Sequence, residues 1–192
     1  PNMTANRGNV LETRYRKLWD KTDLDASIYT GDVSTVEQNR EFVAAADVKM
    51  KSEIRNNWKV NLNFKRSSQD TFLRRYDLNN DTVPKSEFSG SKTTNNSFYN
   101  VEFSEVQNLT DTSANKNSPR ILPSITFEQT SKGFIKDQEL TTKMHVNHIS
   151  NDLGHDISRW NIQQTAVTSH ETDLGIIDSE IGYLGSFYQI NK

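Results

Sequence analysis

The stretch Trp58-Lys59-Val60-Asn61-Leu62-Asn63-Phe64-Lys65 alternates apolar and polar residues without a break. Successive side chains of a β-strand point to opposite faces, so this spacing predicts a strand with two unlike surfaces. Trp58, Val60, Leu62 and Phe64 share one face. Lys59, Asn61, Asn63 and Lys65 share the other. A ribbon of this kind needs something greasy on one side and water on the other, and the pattern recurs along the chain.

Only 33% of the 192 residues are hydrophobic, against roughly 45–50% in ordinary soluble domains, and the mean hydropathy is −0.79. Scattered apolar residues at this density would imply disorder. Placed at alternate positions, they suit a sheet with one wet face, or a barrel with lipid outside and a hydrated interior. The net charge of −2 and the absence of a basic cluster with interleaved aromatics argue against nucleic-acid binding. Without cysteine, an intrachain disulfide framework and Cys-based zinc sites are excluded. No run approaches the roughly 20 apolar residues of a transmembrane helix. A spanning strand needs only about 9–11 residues, half of them polar, so that absence leaves a barrel open.

About ten strands are predicted: Asn9–Leu18, Asp23–Gly31, Glu41–Lys51, Trp58–Arg66, Thr71–Leu78, Ser97–Leu109, Arg120–Thr130, Gln138–Ile149, Ile157–Thr168 and Ile176–Ile190. Phe42, Ala44, Ala46, Val48 and Met50 line one face of the third. Ala and Met also favour helix there, but the Asn56-Asn57 turn signal and the strand after it favour a hairpin. The same alternation groups Tyr99, Val101 and Phe103; Ile121, Pro123, Ile125 and Phe127; Leu140, Met144 and Val146; Trp160, Ile162 and Ala166; and Ile181, Tyr183 and Phe187. Tight turns such as Arg55-Asn56-Asn57 contrast with the long polar segments Asn79–Asn96 and Thr110–Pro119, a rhythm of short and long connections found in outer-membrane meanders. Trp19, Trp58 and Trp160 fall near predicted strand ends, where core packing and anchoring at a membrane interface are both open to them.

Residues with chemical potential do not assemble into a site. His145 and His148, three apart on a strand, point to opposite faces and cannot share a metal ion. Ser169, His170, Glu171 and Asp173 are too close in sequence to adopt nucleophile–base geometry and are expected to be polar loop residues. Asp77-Leu78-Asn79-Asn80-Asp81 opens like a calcium loop, but Thr82 replaces the turn glycine and Phe88 the closing glutamate. No catalytic, metal or cofactor-binding residues are assigned.

The run Gln69-Asp70-Thr71-Phe72-Leu73-Arg74-Arg75-Tyr76, after Asn57-Trp58, resembles the barrel domain of the LptD (organic solvent tolerance protein) family, whose members carry a "D-T-[FY]-L-R-R-Y" run. Pro1-Asn2 and Arg7–Arg16 are similar to that family's early hairpin. Arg120–Ile125 is similar to its "L-P" strand, and Asp156–Tyr188 has the pattern of the following strands. The signal peptide, periplasmic domain and cysteines of the family are missing from the 192 residues, as is a terminal aromatic signal. The resemblance therefore implies a single partial domain over 1–192, an internal piece of a large transmembrane barrel.

What the resemblance implies is all-β: an antiparallel up-and-down meander in the Gram-negative outer membrane that delivers lipopolysaccharide (LPS) to the outer leaflet without covalent catalysis or cofactor. Its implied partners are LPS, outer-membrane lipid, an LptE-type plug lipoprotein and periplasmic Lpt bridge proteins. Trp58, Val60, Leu62 and Phe64 would then face lipid, and Lys59, Asn61, Asn63 and Lys65 the lumen. Lys59, Lys65, Arg74 and Arg75 could meet anionic groups inside, but ion pairs with Asp47 or Glu102 are the stronger expectation. Two rivals share the alternation: a porin-like channel or receptor, and a soluble all-β module whose apolar faces would pack on each other.

Overall fold

The computed structural model describes residues 10–34, 40–69, 71–76, 78, 81–110, 118–152, 154–173 and 175–191. Ten strands form one sheet in strict chain order: β1 (Val10–Trp19), β2 (Thr22–Ser34), β3 (Arg40–Ile54), β4 (Trp58–Ser67), β5 (Lys85–Thr93), β6 (Ser97–Val106), β7 (Arg120–Lys132), β8 (Gln138–Ser150), β9 (Asp156–Thr172) and β10 (Gly175–Asn191). Every neighbouring pair is antiparallel. β1 and β10 do not pair with each other, so the sheet is open. The all-β meander expected from the alternation is the architecture, and the Ala-rich segment 42–50 is strand.

An up-and-down meander sends alternate connections to opposite rims. One rim carries the turns at 20–21, 55–57, 94–96, 133–137 and 173–174; the other carries 35–39, 68–84, 107–119 and 151–155. The two longest connections share a rim, whereas the expected strands place the long segments Asn79–Asn96 and Thr110–Pro119 on successive connections and so on opposite rims; β5 within the first segment corrects this. At the β3–β4 turn both Asn56 and Asn57 sit at φ 62°. Asparagine tolerates this left-handed conformation, which tight hairpin turns need to match the strand twist.

The expected strand Thr71–Leu78 is wrong. Phe72–Arg75 is a single helical turn, α1, and Leu78 N–H closes back on Leu73 O at 2.9 Å. Adjacent Phe72 and Leu73 are both buried, which a strand could achieve only if both its faces were covered. The i, i+4 spacing of Phe72 and Tyr76 is helical, and their rings meet edge-on at 5.5 Å. A strand instead occupies Lys85–Thr93, inside the segment read as loop. Its single large apolar residue, Phe88, leaves periodicity nothing to detect.

The buried apolar cluster is small and lies at the long-loop rim: Val43, Ala45, Phe72, Leu73 and Leu109, with Val10, Tyr29, Tyr76 and Leu78 against it. Val43 and Ala45 project from the same face of β3 as Asp47 and Lys49, so α1 folds onto the Lys59 side of the sheet. Polar contacts hold the loops down. The Gln107 amide donates to Ser67 O at 2.7 Å and accepts from Ser67 N–H at 3.0 Å, in the manner of a strand partner, beyond the last paired residues Asn63 and Glu87 of β4–β5. Leu109 N–H reaches Thr82 O at 2.8 Å.

β7 contains one extra residue relative to both neighbours. Ser124 pairs with Glu102 and Asn147, but Ile121 pairs with Ser104 and Ile149, two residues further on in each. The bulge falls at Leu122-Pro123, and a proline, lacking an N–H, fits a bulge better than a regular ladder position. It also turns Ile121 to the Lys59 side, correcting the expected grouping with Ile125 and Phe127.

Two outcomes are expected. Phe72→Ala removes the fully buried ring pinning α1, at about 3–5 kcal/mol for a core phenylalanine; trypsin should cut after Arg74 or Arg75 at least tenfold faster while the strands stay protected, and an unchanged rate would mean α1 is held otherwise. Asn56→Val, forcing a β-branched residue to positive φ, should cost about 1–2 kcal/mol, read as a lower urea midpoint for refolded protein, with Asn56→Gly close to neutral.

Candidate functional site

The register joins the alternating faces of single strands into two continuous surfaces. Trp58 is opposite Ile54, Val60 opposite Ser52 and Gly90, Leu62 between Met50 and Phe88, and Phe64 opposite Val48. Phe88 and Phe103 form a cross-strand pair at 6.2 Å and Tyr99 and Phe127 another at 5.1 Å, contacts that stabilise sheets. The Trp58 indole lies over Gly90. Beyond these pairs the face has no cover: Leu11, Tyr15, Ile28, Phe42, Ile181 and Phe187 are all at least half exposed. The oily rows do not pack on one another, as a soluble sandwich would require.

The apolar band does not run parallel to the hydrogen-bonded rows. The row through Phe187 passes Trp160, Val146, Ile125, Val101, Gly90 and Val60 and reaches β3 at Ser52. On β10 the band lies on one side of that row, from Phe187 down to Ile177. On β3 it lies mostly on the other, from Ile54 up to Phe42. The band thus slides by about nine residues over seven interstrand steps; at ~3.3 Å per residue and ~4.8 Å per strand this is a slope of roughly 40°.

Toward the long-loop rim the same face turns polar. Arg66 pairs with Glu105 at 3.2 Å, Arg120 approaches Glu105 at 3.8 Å and also pairs with Asp152, and His148 Nδ1 contacts Ser158 Oγ at 2.9 Å. Toward the short-turn rim, Trp19 ends β1 and Trp58 begins β4, with Lys17 Nζ 4.8 Å from the Trp19 ring centre. Trp160 is five residues into β9 and lies within the band, away from the strand end expected for it.

The opposite face is mainly polar, although Leu18 of β1 and Ile176, Leu184 and Ile190 of β10 also lie on it, exposed. Lys59 is opposite Glu53 and Ser91, Asn61 opposite Lys51 and Ser89, Asn63 opposite Lys49 and Glu87, and Lys65 opposite Asp47. Charges here are largely matched. Asp25 takes both Arg14, at 2.6 Å, and Arg16, at 3.1 Å; Lys85 holds Glu87 and Glu102; Lys143 reaches Glu128 at 3.3 Å. The expected partners change: Lys65 pairs with Asp81 at 2.8 Å instead of Asp47, and Glu102 with Lys85. Sequence could not supply this, because Asp81 comes from the long loop.

Of the resembling run, Asp70 lies outside the described residues, as does the Arg75 side chain. Thr71 and Arg74 are exposed, Phe72 and Leu73 are buried, and the Tyr76 hydroxyl donates to Asp32 O at 3.4 Å. The run therefore anchors a loop and builds no wall. His145 and His148 do fall on opposite faces; His145 Nε2 meets Ser124 Oγ at 3.0 Å. Ser169, His170 and Glu171 belong to β9 and are not loop residues, with Ser169 Oγ donating to Asp178 at 2.6 Å. Asp77, Asn79 and Asn80 of the calcium-like segment lie outside the described residues.

No curated protein gives a significant match to the chain. A family model described as LptD, LPS transport system D, matches residues 41–192, from the start of β3 through β10. That match covers most of the chain and includes the two-faced strands, the α1 loop and the bulged strand, so the protein belongs to the LptD family of non-enzymatic LPS-assembly proteins of the Gram-negative outer membrane.

Proposed function

We propose that the sheet is an arc of the transport barrel, a single partial domain over residues 1–192, with the Trp58 face against lipid and the Lys59 face against its hydrated interior. The slope of the apolar band carries this reading. A band crossing the strands at roughly 40° is what a level hydrocarbon layer draws on strands tilted by the 35–45° of transmembrane barrels. A soluble sheet has no reason to tilt its oily rows against its own ladders. The polar pairs Arg66–Glu105 and Arg120–Asp152 then lie at headgroup height on the long-loop side, and Trp19 and Trp58 at the opposite interface.

In this arrangement the wall performs transport without chemistry. Backbone groups are paired strand to strand and can enter hydrocarbon; Val60, Leu62 and Phe64 hold the wall in the membrane; Lys59, Asn61, Asn63 and Lys65 present charge and hydrogen bonds to a hydrophilic cargo. An LptE-type plug lipoprotein would meet the same inner face, with periplasmic Lpt bridge proteins delivering LPS from the short-turn side. The α1 loop, folded onto that inner face, narrows the long-loop end.

The test is an arginine placed on each face in turn. Leu62→Arg, mid-strand on the lipid side, should cost about 2–4 kcal/mol and deplete the folded, heat-modifiable form from outer membranes, with LPS at the cell surface falling in step. Asn61→Arg, its chain neighbour on the other face, should reach the outer membrane in the folded, heat-modifiable form at the wild-type level. Equal tolerance of the two substitutions, or the reverse order, would overturn the assignment of faces.

A further inference from the structure

The apolar band on the Trp58 face is not equally deep on every strand. On β3 it runs from Phe42 to Ile54, broken only by Ser52, and on β10 from Ile177 to Phe187, broken only by Ser179. Between these strands it pinches. On β5 only Phe88 and Gly90 separate Ser86 from Lys92 on this face. On β6 Tyr99, Val101 and Phe103 lie between Ser97 and Glu105, and on β7 Ile125, Phe127 and the bulge lie between Arg120 and Gln129. The flanks of β6 and β7 are in register, Ser97 opposite Gln129 and Glu105 opposite Arg120. At ~3.3 Å per residue along strands tilted by roughly 40°, the polar flanks are about 15 Å apart in height on β5 and about 20 Å on β6 and β7, whereas the apolar run alone is about 30 Å high on β3 and about 25 Å on β10. The apolar belt of a transmembrane barrel is about 25 Å tall.

Both flanks consist of groups that hydrocarbon does not satisfy. On the long-loop side Glu105 takes Arg66 and Arg120, and Arg120 also takes Asp152. On the short-turn side the row that joins Ser97 to Gln129 continues through Thr142 and Gln164, and reaches β10 at Tyr183 in the middle of the band. The Gln164 amide donates to the Thr142 hydroxyl at 3.4 Å. Because the ladders cross the membrane level obliquely, this polar row climbs toward mid-hydrocarbon as it passes from β6 to β9. Two features select the occupant of the pinch. The charges of the long-loop flank neutralise one another, and the short-turn flank is uncharged from β6 to β9, so nothing remains to recruit a protein surface of opposite charge. The rings between the flanks lie against each other, Phe88 on Phe103 and Tyr99 on Phe127, as paired plates instead of separate knobs for a protein to grip. Headgroups and water satisfy hydroxyls, amides and closed ion pairs without such complements, and a bilayer thins to follow a short belt. We propose that the wall from β5 to β7 draws the two leaflets together, leaving the adjoining bilayer at least about 5 Å thinner than at β3 and β10. Beside this stretch a polar headgroup has less hydrocarbon to cross. The thinning presupposes that the Trp58 face meets lipid, as proposed above.

Single-particle cryo-electron microscopy of the full-length protein, with any proteins that co-purify, in dioleoylphosphatidylcholine nanodiscs tests this by measuring the spacing of the two headgroup layers around the wall. The spacing over β5–β7 should fall below that over β3 and β10 by at least about 5 Å. Ser97→Leu/Gln129→Leu, which lengthens the apolar run on the short-turn side, should halve the dip or remove it. Thr126→Leu, on the Lys59 face of β7, should leave it unchanged. Even spacing around the wall, a dip untouched by the folded double variant, or a protein chain seated on the patch in place of lipid would overturn the thinning. Heat-modifiability reports the folding of each variant, and the wild-type map compares strands within one molecule, so it decides the matter even if the double variant does not fold. Even spacing with lipid against the Trp58 face defeats the thinning and leaves the barrel reading standing. Absence of lipid from that face, or tolerance of Leu62→Arg but not of Asn61→Arg, defeats the barrel reading itself.

Discussion

Backbone hydrogen bonding between neighbouring strands is the interaction on which the molecule depends. Among the described residues the buried apolar cluster comprises only Val43, Ala45, Phe72, Leu73 and Leu109, together at one rim. A core that small cannot position ten strands. The ladders can, since each strand is paired with its chain neighbours, over as many as seventeen residues between β9 and β10. Side chains are left to decide what each face meets. In water an exposed oily face of this extent is a liability. In a bilayer it is the anchoring surface, and the same ladders remove the unpaired polar groups that hydrocarbon would penalise.

How far this was legible in the sequence depended on whether local pattern or distant chain supplied the cause. Trp58–Lys65 announced its two faces because alternation is a local property, and Phe42–Met50 and Tyr99–Phe103 followed for the same reason. β5 was invisible: Lys-Ser-Glu-Phe-Ser-Gly-Ser-Lys-Thr has one large apolar residue, and neighbours on either side recruit it by register. Thr71–Leu78 failed the other way. Thr71, Phe72 and Tyr76 have strand-forming side chains, but the Lys59 face of β3 offers Val43 and Ala45 as a docking site, and Phe72 and Leu73 are buried there together on a helical turn.

The site followed the same division. The eight residues Trp58–Lys65 alternate between two faces as expected, because strand parity settles that alone. The charge pairing did not follow, because Asp81, Lys85 and Glu105 come from elements whose registers no single-strand pattern encodes.

The bulge in β7 shows how a wall of this kind can be edited locally. The single additional residue at Leu122-Pro123 exchanges the two faces for the end of β7 alone, since β6 and β8 stay in phase across it. It turns Ile121 to the Lys59 face beside Ser104 and sets Arg120 on the Trp58 face, where Glu105 and Asp152 receive it. A one-residue spacer thus acts as a height gauge: it fixes the level at which this stave stops presenting oil and starts presenting charge, leaving the staves on either side undisturbed.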